Sequence, residues 1–109
     1  MREVDKKRAM YQGLVERVLN GEGRSGRDQR ARAFSNGGLP PPLDVLVDKV
    51  TTTPNRVTAA DFATAKAAGY DEDQLFELVI CAAVGQSGRL YDAGLSALAE
   101  ATAGADDAS

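Results

Sequence analysis

The chain contains no histidine and a single cysteine, and these two scarcities remove several chemistries at once. Without imidazole, a general base working near neutral pH has to be a carboxylate or a tyrosine. Cys81, being alone, cannot form an intrachain disulfide. It lies in the most apolar part of the chain, where a thiol behaves as a small apolar residue rather than as a nucleophile. No apolar run reaches the length needed to span a bilayer, and the first ten residues, MREVDKKRAM, lack the apolar core of a signal peptide. The expected setting is therefore a bacterial-type cytoplasm, away from membranes. Internal repeats are absent, and a content of 43% hydrophobic and 27% charged residues is that of an ordinary soluble globular chain. A length of 109 residues suits one domain with a modest core.

Charge is spread unevenly. Residues 1 to 34 hold nine of the thirteen basic residues and five of the sixteen acidic ones, a local net of +4 against −7 for the remainder. A basic arm of this kind contacts nucleic acid, an acidic lipid surface or the oppositely charged part of a neighbouring protomer. The modest totals favour the neighbouring protomer.

Periodicity places the elements. Residues 3 to 19 form an amphipathic helix on Tyr11, Leu14 and Val18, widened by Met10 and Val15, and Asn20-Gly21 ends it. After a flexible connector, Ser25 is placed to cap a short helix over 26 to 34, with Phe34 as its anchor. Arg24, Arg27, Arg30 and Arg32 read as a solvated basic rim, because no aromatic residue interleaves them as a single-strand binder would need. Leu39 to Pro42 is a rigid elbow, followed by a helix to Val50 on Leu43, Leu46, Val47 and Val50. Thr58 and Asp61 have capping-box spacing, with Val57 and Phe62 as a staple, for a helix over 59 to 68 that Gly69 terminates. This gives an all-α fold without a sheet. Residues 1–38 are N-terminal helices and basic connector, 39–103 the helical core, and 104–109, small and acidic, a disordered tail.

The centre of the chain is Asp71 to Thr102. Asp71 and Gln74 have capping-box spacing, and from Leu75 to Val84 nine of ten residues are apolar. Such a helix is buried on most sides, in its own core or against another subunit. The exception is Glu77, which has to find a hydrogen-bonded or charged partner or stay protonated. Gly85-Gln86-Ser87-Gly88 reads as a break, after which a second helix from Ser87 places Tyr91, Leu95, Leu98 and Thr102 on one face. Helix, Ala68-Gly69-Tyr70-Asp71, helix is also the outline of a DNA-binding helix-turn-helix. The second helix offers Asp71, Glu72 and Asp73 where donors to base edges are needed, which argues against it.

The pattern Phe76-Glu77, an apolar run, then Gly88 and a helix start resembles the carboxymuconolactone decarboxylase and alkylhydroperoxidase D superfamily. The resemblance implies an alkylhydroperoxidase D-like helical bundle, assembled as a homo-oligomer, a trimer or hexamer; no cofactor or metal is expected. In its peroxidase branch a glutamate precedes a Cys-x-x-Cys and then a histidine. On this chain the glutamate position is Glu77, the two cysteine positions are Arg89 and Asp92, and the histidine position is Ser96. Thiol peroxidase chemistry is excluded because both cysteine positions hold other residues.

Three readings follow. In one, the former site has become structural, with Glu77 and Arg89 joined as a buried ion pair. In another, Glu77 is the acid or base of a decarboxylase-type lyase, assisted by Asp92, while Arg89 anchors a small anionic substrate beside Tyr91 and Ser96. In the third, the chain is a non-catalytic ligand-binding or accessory oligomeric module.

Overall fold

The computed structural model describes the backbone of residues 2–108 and the side chains of residues 5–103. It is a bundle of five α-helices with no strand among the described residues: α1 (Arg2–Asn20), α2 (Arg27–Ser35), α3 (Leu43–Thr52), α4 (Ala59–Ala67) and α5 (Glu72–Ala108), with a short 3-10 turn at Pro54–Arg56. None of these helices is long and apolar enough to cross a membrane.

The local start and stop signals operate as the sequence predicts. At the head of α5, the Gln74 amide donates to Asp71 Oδ1 (2.8 Å) and the Asp71 amide donates to Gln74 Oε1 (3.0 Å), a reciprocal box. Asp61 Oδ2 accepts the Thr58 amide (2.8 Å) at the head of α4, and Gly69 takes the left-handed conformation (φ 108°) after that helix. Lys49 Nζ reaches Asp61 Oδ1 at 2.8 Å and ties α3 to α4.

The core is built from the stripes. Leu43, Leu46 and Val47 of α3 are buried with Leu75, Leu78, Cys81 and Ala82 of α5, and Leu39, Ala33 and Ala65 close the space around them. Fully burying a leucine such as Leu78 contributes about 2 kcal/mol. Val50, Val57 and Phe62 pack at the margin.

Two boundaries differ from the sequence expectation. Ser25 does not cap α2: Gly26 occupies that position without a side-chain bond, and the Ser25 hydroxyl donates to Gln74 O (3.2 Å), joining the connector to α5. More consequentially, α5 does not break at Gly85-Gln86-Ser87-Gly88. It is one helix of 37 residues, and it sets the molecule's 60 Å long axis. The half that was expected to fold back as a helix over 88 to 102 instead projects from the bundle, with every residue from Arg89 to Ala103 exposed except the half-buried Leu95. The backbone of 104–108, within the segment assigned to a disordered tail, continues the helix, and Ser109 lies outside the described residues.

The glycines explain why α5 stays whole. Gly85 and Gly88 are buried, one against the carbonyl of Phe34 at the end of α2 and the other against the Tyr11 hydroxyl of α1, so a Cβ at either position would overlap its neighbour. These glycines serve close approach by two other helices. Each lowers helix propensity by about 1 kcal/mol relative to alanine, and packing on both sides outweighs that.

Candidate functional site

Glu77 projects from the half-buried flank of α5 toward the connector between α1 and α2. Among the described residues, its carboxylate accepts backbone amides only. Oε2 receives Arg24 N at 2.8 Å and Ser25 N at 3.1 Å, and Oε1 also receives Arg24 N at very short range. Gly23 passes so near that a Cβ there would press on the carboxylate. Two successive amides turned toward one anion form a small nest, which satisfies a carboxylate without any cationic side chain. Nearby, Arg24 Nε pairs with Asp71 Oδ2 at 3.0 Å. The capping amide of Gln74, and secondarily Arg24, hold the Asp71 carboxyl below the usual aspartate range.

Arg89 is elsewhere. Twelve residues of continuous helix separate it from Glu77, about 18 Å along the axis at about 1.5 Å per residue. No ion pair joins them among the described residues. The expected Glu77–Arg89 pair is therefore corrected: it required a chain reversal at Gly85 to Gly88, and that reversal is absent. Arg89 Nη1 instead donates to Phe34 O (2.8 Å) and Nε to Gln86 Oε1 (3.2 Å). Phe34 O is an orphan carbonyl in the last turn of α2, so Arg89 caps that helix.

Arg30 does the same for α1, and here the sequence reading of a solvated rim is overturned. It is only 6% exposed, and its Nη1 donates to Gly21 O (2.7 Å) and Val18 O (3.4 Å) at the end of α1. Among the other arginines of that rim, Arg24 pairs with Asp71, and Arg32 bonds Gly38 O and Asp28.

The remaining predicted site residues part company. Tyr91 and Asp92 line a cleft of about 280 Å³ with Ser87 and Gly88, facing Lys7, Arg8 and Tyr11 of α1. Ser96 is exposed on the projecting half of α5 and does not line this cleft. Glu77 and Arg89 do not line it either. Sequence reasoning missed Tyr11 as a site residue. It sat in a helical apolar stripe and read as core, whereas its hydroxyl donates to Val84 O (3.1 Å) and forms one wall of the cleft.

Cys81 is buried, and its Sγ lies 3.3 Å from Val18 O as a donor. Burial, with Glu77 adding to it against a partial offset from Arg30, pushes the thiol up to about 11. A thiol that stays protonated across the neutral range is not a nucleophile. Among the described residues, no three acidic or thiol groups are placed to hold a metal.

Compared with known families, with curated proteins and with solved structures, the chain matches none. Its function has to be read from its own geometry.

Proposed function

We propose that this chain is a non-catalytic, oligomeric helical module in which the residues resembling a decarboxylase site maintain the fold. The observation that carries this reading is the occupancy of Glu77, the one carboxylate within the apolar run, by the amides of Arg24 and Ser25. A carboxylate filled by backbone donors has its lone pairs engaged and is poorly placed to take a proton from a substrate. Arg89, the proposed anion anchor, is likewise engaged by a helix end. The kinship suggested by the Phe76-Glu77 to Gly88 pattern, and with it an alkylhydroperoxidase D-like identity, is compatible with this reading but not needed for it. The projecting half of α5, with Leu90, Tyr91 and Leu98 exposed, supplies the surface such a module would use.

A second reading is favoured by the cleft between Tyr11 and Tyr91, whose aromatic walls, with the cations Lys7 and Arg8 outnumbering the single carboxylate of Asp92, suit a small anion with an apolar body. One screen separates the two. The protein is assayed for decarboxylation and peroxide consumption, and for thermal stabilisation by small organic acids and phosphorylated metabolites. The module reading expects no turnover and no stabilisation. Stabilisation lost in Tyr91→Ala favours the cleft, and turnover lost in a folded Glu77→Gln variant overturns the module reading.

A further inference from the structure

α5 carries two apolar faces. One faces the bundle through Leu75, Leu78, Cys81 and Ala82, with Gly85 and Gly88 in line, and the other helices cover it. The second runs along another side through Phe76, the half-buried Ile80, Ala83, Ser87, Tyr91, Gly94 and Leu98, and at Ser87 and Tyr91 it borders the cleft shared with Lys7, Arg8 and Tyr11 of α1. Its steps of four, three, four, four, three and four make an eleven-residue repeat, which follows a nearly straight helix with little supercoil. No charge interrupts it, and none of its members is buried. Phe76 is 65%, Tyr91 49% and Leu98 63% exposed. The stripe is about 33 Å long at about 1.5 Å per residue, which is more than scattered surface hydrophobics account for.

We propose that a second copy of this chain covers this stripe, its α5 lying antiparallel about a two-fold axis at Ser87. The inference rests on the module reading above and names the module's partner. What selects a second copy is that the stripe is complementary to itself. An axis at Ser87 sets Phe76 opposite Leu98, Ile80 opposite Gly94 and Ala83 opposite Tyr91 in both halves of the pair. A branched side chain then meets bare backbone and a phenol ring meets a methyl group, so at these two pairs a large residue faces a small one and the helices can close, while Phe76 and Leu98, both large, meet at the ends of the stripe. Phe76 borders a groove of about 440 Å³ between α4 and α5, lined by Phe62, Leu75 and Val79 together with the charged Lys66, Glu72 and Asp73, which has room for Leu98 of the second copy. Such a contact is isologous and closes at two chains. It also covers the part of α5 from Leu90 to Leu98, which otherwise holds exposed apolar residues away from the bundle.

The axis makes Ser87 its own neighbour. At the usual interaxial spacing of about 8 to 10 Å, facing Cβ atoms at the crossing come within disulfide reach. In oxidising buffer, Ser87→Cys is expected to give a disulfide-linked dimer, while Ala60→Cys, exposed on α4, stays unlinked. The native Cys81 is buried and silent in both. By sedimentation, the unmodified chain is expected to be a dimer at micromolar concentration. Leu98→Glu, which places a carboxylate in the stripe while remaining fully helical by circular dichroism, should weaken it by about tenfold or more. A monomeric unmodified chain overturns the proposal, and so does a dimer in which Ser87→Cys links no faster than Ala60→Cys. Neither result bears on the absence of catalysis, which the turnover assay with Glu77→Gln decides separately.

Discussion

Tyr11 and Gly88 bring α1 close against α5: the phenol oxygen lies over the bare α-carbon and donates to Val84 O, one turn earlier, at 3.1 Å. A methyl at position 88 would occupy the space of that oxygen. Gly88→Ala is therefore expected to destabilise the protein by about 1 to 3 kcal/mol, although alanine is the better helix former. Tyr11→Phe alone should lose about 1 kcal/mol with the hydrogen bond. Combined with Gly88→Ala it should lose less than the two effects summed, because it removes the nearer of the two overlapping atoms, the hydroxyl oxygen, and leaves only the ring carbon to shift. Urea unfolding of the three variants checks this, and a stabilised Gly88→Ala would show that α1 does not sit there.

Glu77 and Arg89 act at separate places, so their substitutions should add. Glu77→Gln leaves the Arg24 and Ser25 amides sharing one neutral oxygen and is expected to cost about 1.5 to 3 kcal/mol. Arg89→Met uncaps α2 and should cost about 1 kcal/mol. In the double variant the losses are expected to sum to within about 0.5 kcal/mol. A coupling energy well above that, measured by a double-mutant cycle, would restore the ion pair that the continuous helix rules out.

The Cys81 thiol provides an alkaline test. Its folded pKa is raised to about 11 by burial, above the ordinary value of 9.0. The neutral thiol is favoured in the folded state, so its contribution is complete below pH 9 and declines as pH rises toward 11. Between those limits the stability of the native chain should fall faster than that of Cys81→Ala. Labelling of the native protein by a thiol reagent at pH 8 should be slow and should speed up only with unfolding. Immediate labelling would contradict the burial.

On the acid side, Asp61, Asp71 and Glu72 all titrate below their ordinary ranges. The leading causes are the Lys49 ammonium for Asp61, the Gln74 amide for Asp71 and the Lys66 ammonium for Glu72. Depressed carboxylates stabilise the fold above their unfolded pKa values and lose that contribution as pH falls through the folded ones. Stability should therefore be level from pH 5 to 8 as far as these groups are concerned and drop below about pH 4. Asp71→Ala, which deletes the cap of α5, is expected to lower stability at pH 7 and to flatten the acid limb. An unchanged limb would assign the acid sensitivity to other carboxylates.

What the sequence made legible was local. The capping boxes at Asp71–Gln74 and Thr58–Asp61, the stripe Leu43-Leu46-Val47 and the stop at Gly69 are each written within a few residues, and the structure reproduces them. The misreadings were decided by distant partners. Gly85 and Gly88 look like a break until Phe34 O and Tyr11 are known to press on them. Arg30 looks solvated until the open carbonyls of Val18 and Gly21 arrive above it. Glu77 was recognisable as a residue needing a partner. Its partners are backbone amides, which no side-chain pattern announces.

Because Glu77 grips the connector by its amides, it reads the path of the chain and is blind to its spelling, while the side chains of Arg24 and Ser25 add separate contacts to Asp71 and Gln74 O. Position 24 can take any side chain that keeps an N–H, at the cost of the Asp71 contact alone, while proline there removes a donor that no compensating side chain can return. Variation in this loop is thus filtered by backbone geometry. A stretch that varies freely among related chains, yet excludes proline at positions 24 and 25 and favours glycine at 23, would carry the signature of this clasp where composition shows nothing.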